Sequence, residues 1–493
     1  MNMQRQAVES KFEQLELWQS DQFIVSMKQS NDCGEKGLAR MRQERRDTPS
    51  GHRAGYKVST KLLSLTNIAG RNLRERFTSL AHFLNEDFLL ECFWELKRKK
   101  APGIDGVKVE EYEVNIRERI KDLVGRLKCK RYRPQPVRRV YIPKSNGERR
   151  PLGIPSVEDK VVQMGVKKIL EAIYEVDFEE VSYGFRAGRS CHDALNDVDK
   201  TIMTKSINYV IDADIEKFFD TVNHNWLMKF LKARIADRNL LEIIGRMLKV
   251  GIMEEGKYIE VDKGTPQGGI LSPLLANIYL HYALDQWFSR VIKKKVNGYT
   301  RLVRYADDFV ICCQFQNEAE KIYRELKERM RKFELKISGE KSRIIEFGRN
   351  AYYKAERMGE RIGTFDFLGF THYARKSRKG KFILGQKTAR TRLNKKTKEV
   401  NQWLKEIRNR VKLPEWWAVL GKKLTGHYNY YGVSGNLWNL RKFYSRCFWL
   451  AYKWINRRSQ KRSMDIGKYQ KFIKFNPLPL PVITHRTYTL SYG

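Results

Sequence analysis

Tyr305-Ala306-Asp307-Asp308 sets two neighbouring carboxylates between two apolar runs, Leu302-Val303 and Phe309-Val310-Ile311. Consecutive residues on a flat strand point to opposite faces, so two adjacent Asp side chains serve one site only where the backbone bends, as at a hairpin tip. Crowded carboxylates repel unless a divalent cation neutralises them. Two Mg2+ ions roughly 3.5–4 Å apart are the usual device for in-line phosphoryl transfer. Such a site needs a third carboxylate on a neighbouring strand. Ile211-Asp212-Ala213-Asp214 offers two, Asp212 and Asp214, which share a face by strand alternation, so spacing leaves both open.

The elements that must hold these residues are legible on either side. Asn208 to Asp214 reads as a strand ending in carboxylates. Ser272 to Phe288 reads as a helix with Ser272 as N-cap and Pro273 at its first position, and Asn317 to Phe333 as another. From Leu62 to Lys100 the pattern is helical, with Asn85 as an N-cap and a stop at Ala101-Pro102-Gly103. In RRVYIPKSNGERRPLGIP, Ser145-Asn146-Gly147 joins two extended runs, a hairpin signal. Strand and helix alternate without a Gly-rich phosphate loop, which predicts an α+β core and excludes a dinucleotide fold and a P-loop enzyme. After about Arg390 only helical stripes remain. Leu393, Val400, Trp403 and Ile407 form the first, Trp416, Leu420, Leu424 and Tyr428 the second, and Leu437, Leu440, Tyr444 and Phe448 the third. Three such helices make a small bundle.

The chain has 493 residues, and its 96 Lys and Arg against 57 Asp and Glu give a net charge of +39. That balance calls for a polyanionic partner, nucleic acid first. Residues 371–493 hold 29 Lys and Arg but 4 Asp and Glu, with six of the ten Trp. Basic and aromatic residues so interleaved suit a surface that grips phosphates and stacks on unpaired bases. No apolar run reaches the roughly 18 residues of a membrane span, and the N-terminus lacks a signal-peptide pattern. The sequence therefore predicts a cytoplasmic protein with no membrane partner. Its seven Cys are scattered and never spaced C-x-x-C, so they read as reduced, mostly buried thiols.

The segments APGIDGV, YIPKSNGERRPLGIPS, YGFRAGRS, DADIEKFFDTVNH, GTPQGGILSPLLANIYL, RYADDFVI, SGEKSR, FDFLGF and KLTGHYNYYG occur in that order. As a set they resemble a group II intron-encoded reverse transcriptase/maturase. The resemblance implies a right-hand polymerase followed by an all-α domain. Residues 1–70 would be a basic, partly flexible arm and 71–125 an N-terminal extension. Fingers and palm, with an antiparallel sheet and helices, would span 126–372, and a three-helix thumb/maturase domain 388–460. The basic tail 461–493 could be a DNA-binding remnant. Many members carry a C-terminal endonuclease with paired Cys and His motifs; the sequence shows none, which suggests the endonuclease-lacking form.

Carried over by residue, the resemblance makes Asp214 the third catalytic carboxylate, with Asp212 in support. Asp214, Asp307, Asp308 and the Ile215 carbonyl would bind two Mg2+ ions, with Mn2+ as a substitute. Lys144 and Arg150, on the arms of the hairpin, would clamp the incoming dNTP, with Arg149 the rival of Arg150. Phe219 would be a steric gate against a ribose 2'-hydroxyl beside Phe218, Gln267 would sit against the nucleotide, and Lys341 would protonate departing pyrophosphate. Arg186, Arg189, Gly268 and the primer-grip residues Phe367, Leu368 and Gly369 would touch template or primer. Lys423, Tyr428, Tyr430, Arg441 and Arg457 would contact intron RNA. The implied partners are the intron RNA, an RNA template with a DNA primer or target DNA, and dNTPs; a homodimer is compatible with this, as is nucleoid association on target DNA. The implied activity is RNA-directed DNA synthesis joined to splicing and retrohoming. The alternatives are a splicing-only maturase and a domesticated reverse transcriptase of defence or repair.

Overall fold

Val, Ile and Phe favour a pleated backbone, and the Val210-Ile211 and Phe309-Val310-Ile311 runs meet in one sheet of the computed structural model. It describes residues 52–143, 149–254, 257–260, 262–265, 268–377, 379–458 and 463–486. The strands are β1 (Val137–Pro143), β2 (Arg149–Ile154), β3 (Tyr209–Ala213), β4 (Ile252–Glu254), β5 (Lys257–Ile259), β6 (Thr300–Tyr305), β7 (Asp308–Cys313), β8 (Arg343–Glu346), β9 (Phe365–Phe367), β10 (Phe370–Lys376) and β11 (Phe382–Thr388). They form three sheets, ordered β2-β1-β4-β5, β6-β7-β3-β8 and β11-β10-β9. Strand pairs are antiparallel except β1 with β4, which run parallel at Val137 and Ile252.

The sheet β6-β7-β3-β8 is buried on both faces, and strand alternation divides its side chains between two cores. Ile211, Leu302, Phe309 and Ile311 face a core shared with the helices Val157–Tyr174, Ser272–Leu280 and Gln316–Lys332. Val210, Val303, Val310 and Cys312 face a second core that continues into the C-terminal helices through Trp416, Leu424 and Tyr428. Asn85 caps its helix as expected, its side chain accepting from the Phe88 N–H.

Several elements differ from the sequence reading. A helix, His52–Arg71, starts inside the expected arm, and buried Leu65 and Ala69 tie it to the first core. Ser272 is a buried first residue of its helix, with Leu271 at the cap position. That helix runs on through two wider π turns, His281–Asp285 and Phe288–Ile292, to Lys295. The three C-terminal helices are Arg390–Ile407, Leu413–Tyr431 and Leu437–Ile455, and a fourth, Ile466–Phe475, lies in the expected tail. Its Tyr469 is fully buried and donates to the Phe448 carbonyl at 2.9 Å, so this part of the tail belongs to the bundle. No described helix is long and apolar enough to cross a membrane. Of the described Cys, only Cys129 is exposed, and all are free thiols.

Candidate active site

Asp214 leaves the end of β3 and Asp308 opens β7. Their register pairs Ala213 with Phe309, so Asp214, the residue after β3, follows toward Asp308, the residue before Phe309 on the antiparallel partner. Asp307 lies in the turn between β6 and β7, after Ala306 at φ 57. A left-handed non-glycine residue is uncommon; here it gives the reversal that the paired Asp residues require. The site is electrostatically tense. The Asp308 side chain touches solvent, yet the protein around it, then the charges of Asp307 and Asp214, push its carboxyl up to about 7, against the opposing charge of Arg392. Burial likewise pushes Asp212 up to about 6, with Arg343 opposing.

Three hard-oxygen side chains gathered at one turn and strand end are of the kind that a divalent cation takes. Among the described residues no three His, Cys, Asp or Glu side chains, those of the three Asp included, are arranged to hold a metal ion by themselves. Divalent Mg2+, for one, is usually held by one or two carboxylates together with substrate phosphates. The Lys341 ammonium sits 3.0 Å from Asp214. Asp214 is also fixed through its backbone, donating to Ser342 Oγ at 3.1 Å and accepting from the Ser338 N–H at 2.8 Å. The Ser338–Ser342 loop that carries Lys341 is thereby pinned to the carboxylate.

Around this centre the expected residues separate. Phe218 is buried, and Phe219 is half-buried, edge-on to it with ring centroids 5.5 Å apart. Ile215 is a core residue whose backbone bridges Ile337. Gly268 has φ +107, and a Cβ there would stand 2.8 Å from the Gly153 carbonyl oxygen on β2, so glycine is required where the two loops touch. Arg150 lies on β2 opposite Ile142, as the hairpin predicts, while Lys144 and Gln267 lie outside the described residues.

Other positions are drawn into the scaffold. Arg186 is buried, held by Glu175 at 2.9 Å and by the Glu179 and Ser182 carbonyls at 2.9 Å. Those bonds occupy the donors that a template phosphate would need, which corrects the expectation of a template contact. Arg189 reaches the Glu180 carbonyl at 2.8 Å and lies over the Tyr183 ring. Phe367 is buried, and Leu368 and Gly369 form a left-handed turn whose Leu368 carbonyl accepts from the Tyr430 hydroxyl at 2.8 Å. Tyr428 is 1% exposed and donates to Pro479, so its ring offers no face to RNA, again a correction. Lys423 lies over Trp403 with its ammonium pushed down to about 7 by burial and by Lys396. Arg441 and Arg457 are exposed.

A group absent from the sequence reading supports the catalytic turn. Arg304, on β6, is fully buried and uses all five of its N–H donors. Nε and one Nη2 proton go to the Asp285 carboxylate, the other Nη2 proton to Ser182 Oγ at 2.7 Å, and Nη1 to Asn277 Oδ1 at 3.0 Å and the Ala306 carbonyl at 2.9 Å. Asn277 in turn donates to the Gly184 carbonyl at 2.6 Å. A Cβ on Gly184 would fall 2.4 Å from the Ala306 N atom, so the YGFRAGRS loop presses directly on the turn. The signal was present in outline. Arg304 shares a strand face with apolar Leu302, and Asp285 interrupts an apolar helix, two inward charges that need each other.

Residues 142–372 match the reverse transcriptase (RNA-dependent DNA polymerase) family. The group II intron-encoded protein LtrA of Lactococcus lactis subsp. cremoris is 41% identical over 212 residues, covering 43% of this chain and 35% of that protein. The chain thus spans about a third of that relative's length. Protein YkfC of Escherichia coli strain K12 is 33% identical over 302 residues, covering 54% of this chain and 79% of YkfC. Nuclear intron maturase 4, mitochondrial, of Arabidopsis thaliana is 28% identical over 142 residues, 28% of this chain and 17% of that protein. Because the family match encloses the whole of the sheet that carries Asp214, Asp307 and Asp308, and one relative is matched through most of its length, the chain belongs to the reverse transcriptase family, in its group II intron-encoded reverse transcriptase/maturase branch.

Proposed function

We propose that this protein is an RNA-directed DNA polymerase encoded by a group II intron, which copies intron RNA into cDNA and binds that RNA as a maturase to promote splicing and retrohoming. The observation that carries the reading is the β3·β7 register, which sets Asp214 against Asp308 beside Asp307 at an open strand end. Asp214, Asp307 and Asp308 would hold Mg2+, or Mn2+ in its place. When bound, the ions would favour the ionised primer 3'-hydroxyl and offset the charge of the triphosphate.

The protein's own groups do the remaining work. Lys144 and Arg150, from the β1–β2 hairpin, would clamp the triphosphate with charge-assisted hydrogen bonds. Phe219, braced by Phe218, would exclude a ribose 2'-hydroxyl, and Gln267 and Gly268 would line the nucleotide and template. Lys341, 3.0 Å from Asp214, would give a proton to departing pyrophosphate. The helices from Arg390 to Ile455 would be the thumb, with Arg441 and Arg457 toward intron RNA. The partners on this reading are the intron RNA, a template with DNA primer or target DNA, and dNTPs, in the cytoplasm or on the nucleoid.

The test is primer extension on an RNA template with dNTPs and Mg2+. Asp307→Ala should lower the rate by roughly 10³-fold or more, since it removes several kcal/mol of charge stabilisation. Full activity in that variant would overturn the assignment.

A further inference from the structure

A cavity of about 1000 Å³ lies among the helices His224–Arg234 and Arg238–Leu248, the turn at residues 130–136, and Tyr258 on β5, and none of the site residues above lines it. Its wall is strongly basic: Arg76, Arg133, Lys232, Arg238, Arg246 and Lys249 line it against one acid, Glu242. Glu242 is already paired with Arg246. Among the described residues no carboxylate forms an ion pair with the other five cations.

Three of the cations are held in place by backbone carbonyls. Arg133 Nη1 donates to the Lys130 and Tyr132 carbonyls at 2.8 and 3.0 Å, and Arg246 Nη1 donates to the same two carbonyls at 2.8 Å. Arg76 Nε donates to the Lys232 carbonyl at 3.1 Å. Arg76 and Arg133 thus keep their remaining guanidinium nitrogens for an outside acceptor. The cavity also has apolar lining from Pro134, Pro136, Met228, Ile235, Leu241 and Leu248, and Tyr258 is 57% exposed. Unpaired cations alone would suit any polyanion. Joined to apolar lining and an open aromatic ring they suit a strand whose bases are unpaired, because a duplex hides its base faces.

We propose that this cleft binds a single-stranded RNA segment at a second site, with phosphates on Arg76, Lys232, Arg238 and Lys249 and a base against Tyr258. The RNA class rests on the function proposed above. The site would hold a stretch of the RNA outside the template–primer duplex while the carboxylate site works.

The experiment loads the full chain with an RNA template–DNA primer hybrid and then titrates in a fluorescein-labelled oligouridylate. The parent should bind it, and Arg238→Glu/Lys249→Glu should weaken binding at least tenfold. The plot of log affinity against log salt should flatten by about 1.4, at about 0.7 per lost phosphate contact. Extension of the loaded primer should stay unchanged, and Tyr258→Ala should weaken binding severalfold without altering the salt slope. Absence of a second binding event, or affinity and slope unaltered in the double variant, overturns the proposal. An equal loss of primer extension places these residues on the polymerase path and also overturns it. Equally tight binding of oligothymidylate overturns the RNA assignment. A parent that extends no primer refutes the function proposed above instead, and that result is read separately.

Discussion

At the scale of single residues, Arg304 joins two roles. It neutralises Asp285 in a dry interior and grips the Ala306 carbonyl that shapes the turn. Arg304→Met strands Asp285 and should cost about 3–5 kcal/mol of stability. Adding Asp285→Leu removes the stranded charge and should restore most of that loss, read from denaturant midpoints. The turn still lacks its clasp in the double variant, so its single-turnover extension rate should remain down by about 10²-fold with primer–template affinity unchanged. Recovery of the rate together with stability would show the clasp to be idle. The juxtaposition of Asp214, Asp307 and Asp308 was legible because consecutive carboxylates between apolar runs have few explanations. Arg304 was not, because a buried ion pair is a property of two distant segments and neither announces the other. Arg186 misled for the related reason that an Arg in a polar loop reads the same whether its donors meet a phosphate or carbonyls.

At the scale of elements, the π turn His281–Asp285 explains how one helix serves Arg304 twice. In a regular α-helix, residues eight apart lie about 80° out of line, which would turn Asp285 away while Asn277 faced the strand. The wider turn takes up that angle, and both side chains reach the guanidinium. Nothing in the apolar pattern of SPLLANIYLHYALDQWF marks where the turn widens, since the helix is buried on most sides and its periodicity is weak. The join between β11 and the C-terminal helices depends on Asn436, fully buried, with its amide accepting from the Thr388 and Asn439 N–H groups and donating to Thr388 Oγ1 and the Tyr431 carbonyl. Asn436→Ala leaves several buried groups unpaired and should cost about 2–4 kcal/mol by denaturant unfolding. A loss under 1 kcal/mol would mean that water replaces the amide. The C-terminal helices themselves were readable, because their apolar stripes keep the helical period over three turns or more. The helix Ile466–Phe475 was hidden by its basic composition, which resembles a solvated tail.

At the scale of the whole molecule, three histidines bear on its tolerance of acid. Burial pushes His281, His372 and His427 each down to about 3. Their unfolded forms take up a proton near pH 6.5 while the folded forms do not, so folding stability falls as pH drops from 6.5 toward 3. Each residue contributes about 1.4 kcal/mol per pH unit to that fall. Asp159 and Asp177, pushed up to about 6 chiefly by burial, act in the opposite sense and gain stability as pH falls below 6. The useful comparison is therefore parent against His281→Gln, whose stability profile between pH 6 and 4 should be shallower by about 1.4 kcal/mol per unit; identical slopes would show that His281 is protonated in the folded protein. The uneven charge of the chain was plain in its sequence, but the basic cleft was not, because its cations come from segments as far apart as Arg76 and Lys249. The Arg304–Asp285 pair also bears on how such a protein can decay. A descendant released from copying RNA but still needed for its shape could lose Asp307 by one mutation and survive. It could discard Arg304 only through an unstable intermediate or by changing Asp285 in the same step. In a lineage retired from that chemistry, the buried pair should outlast the turn carboxylates beside it.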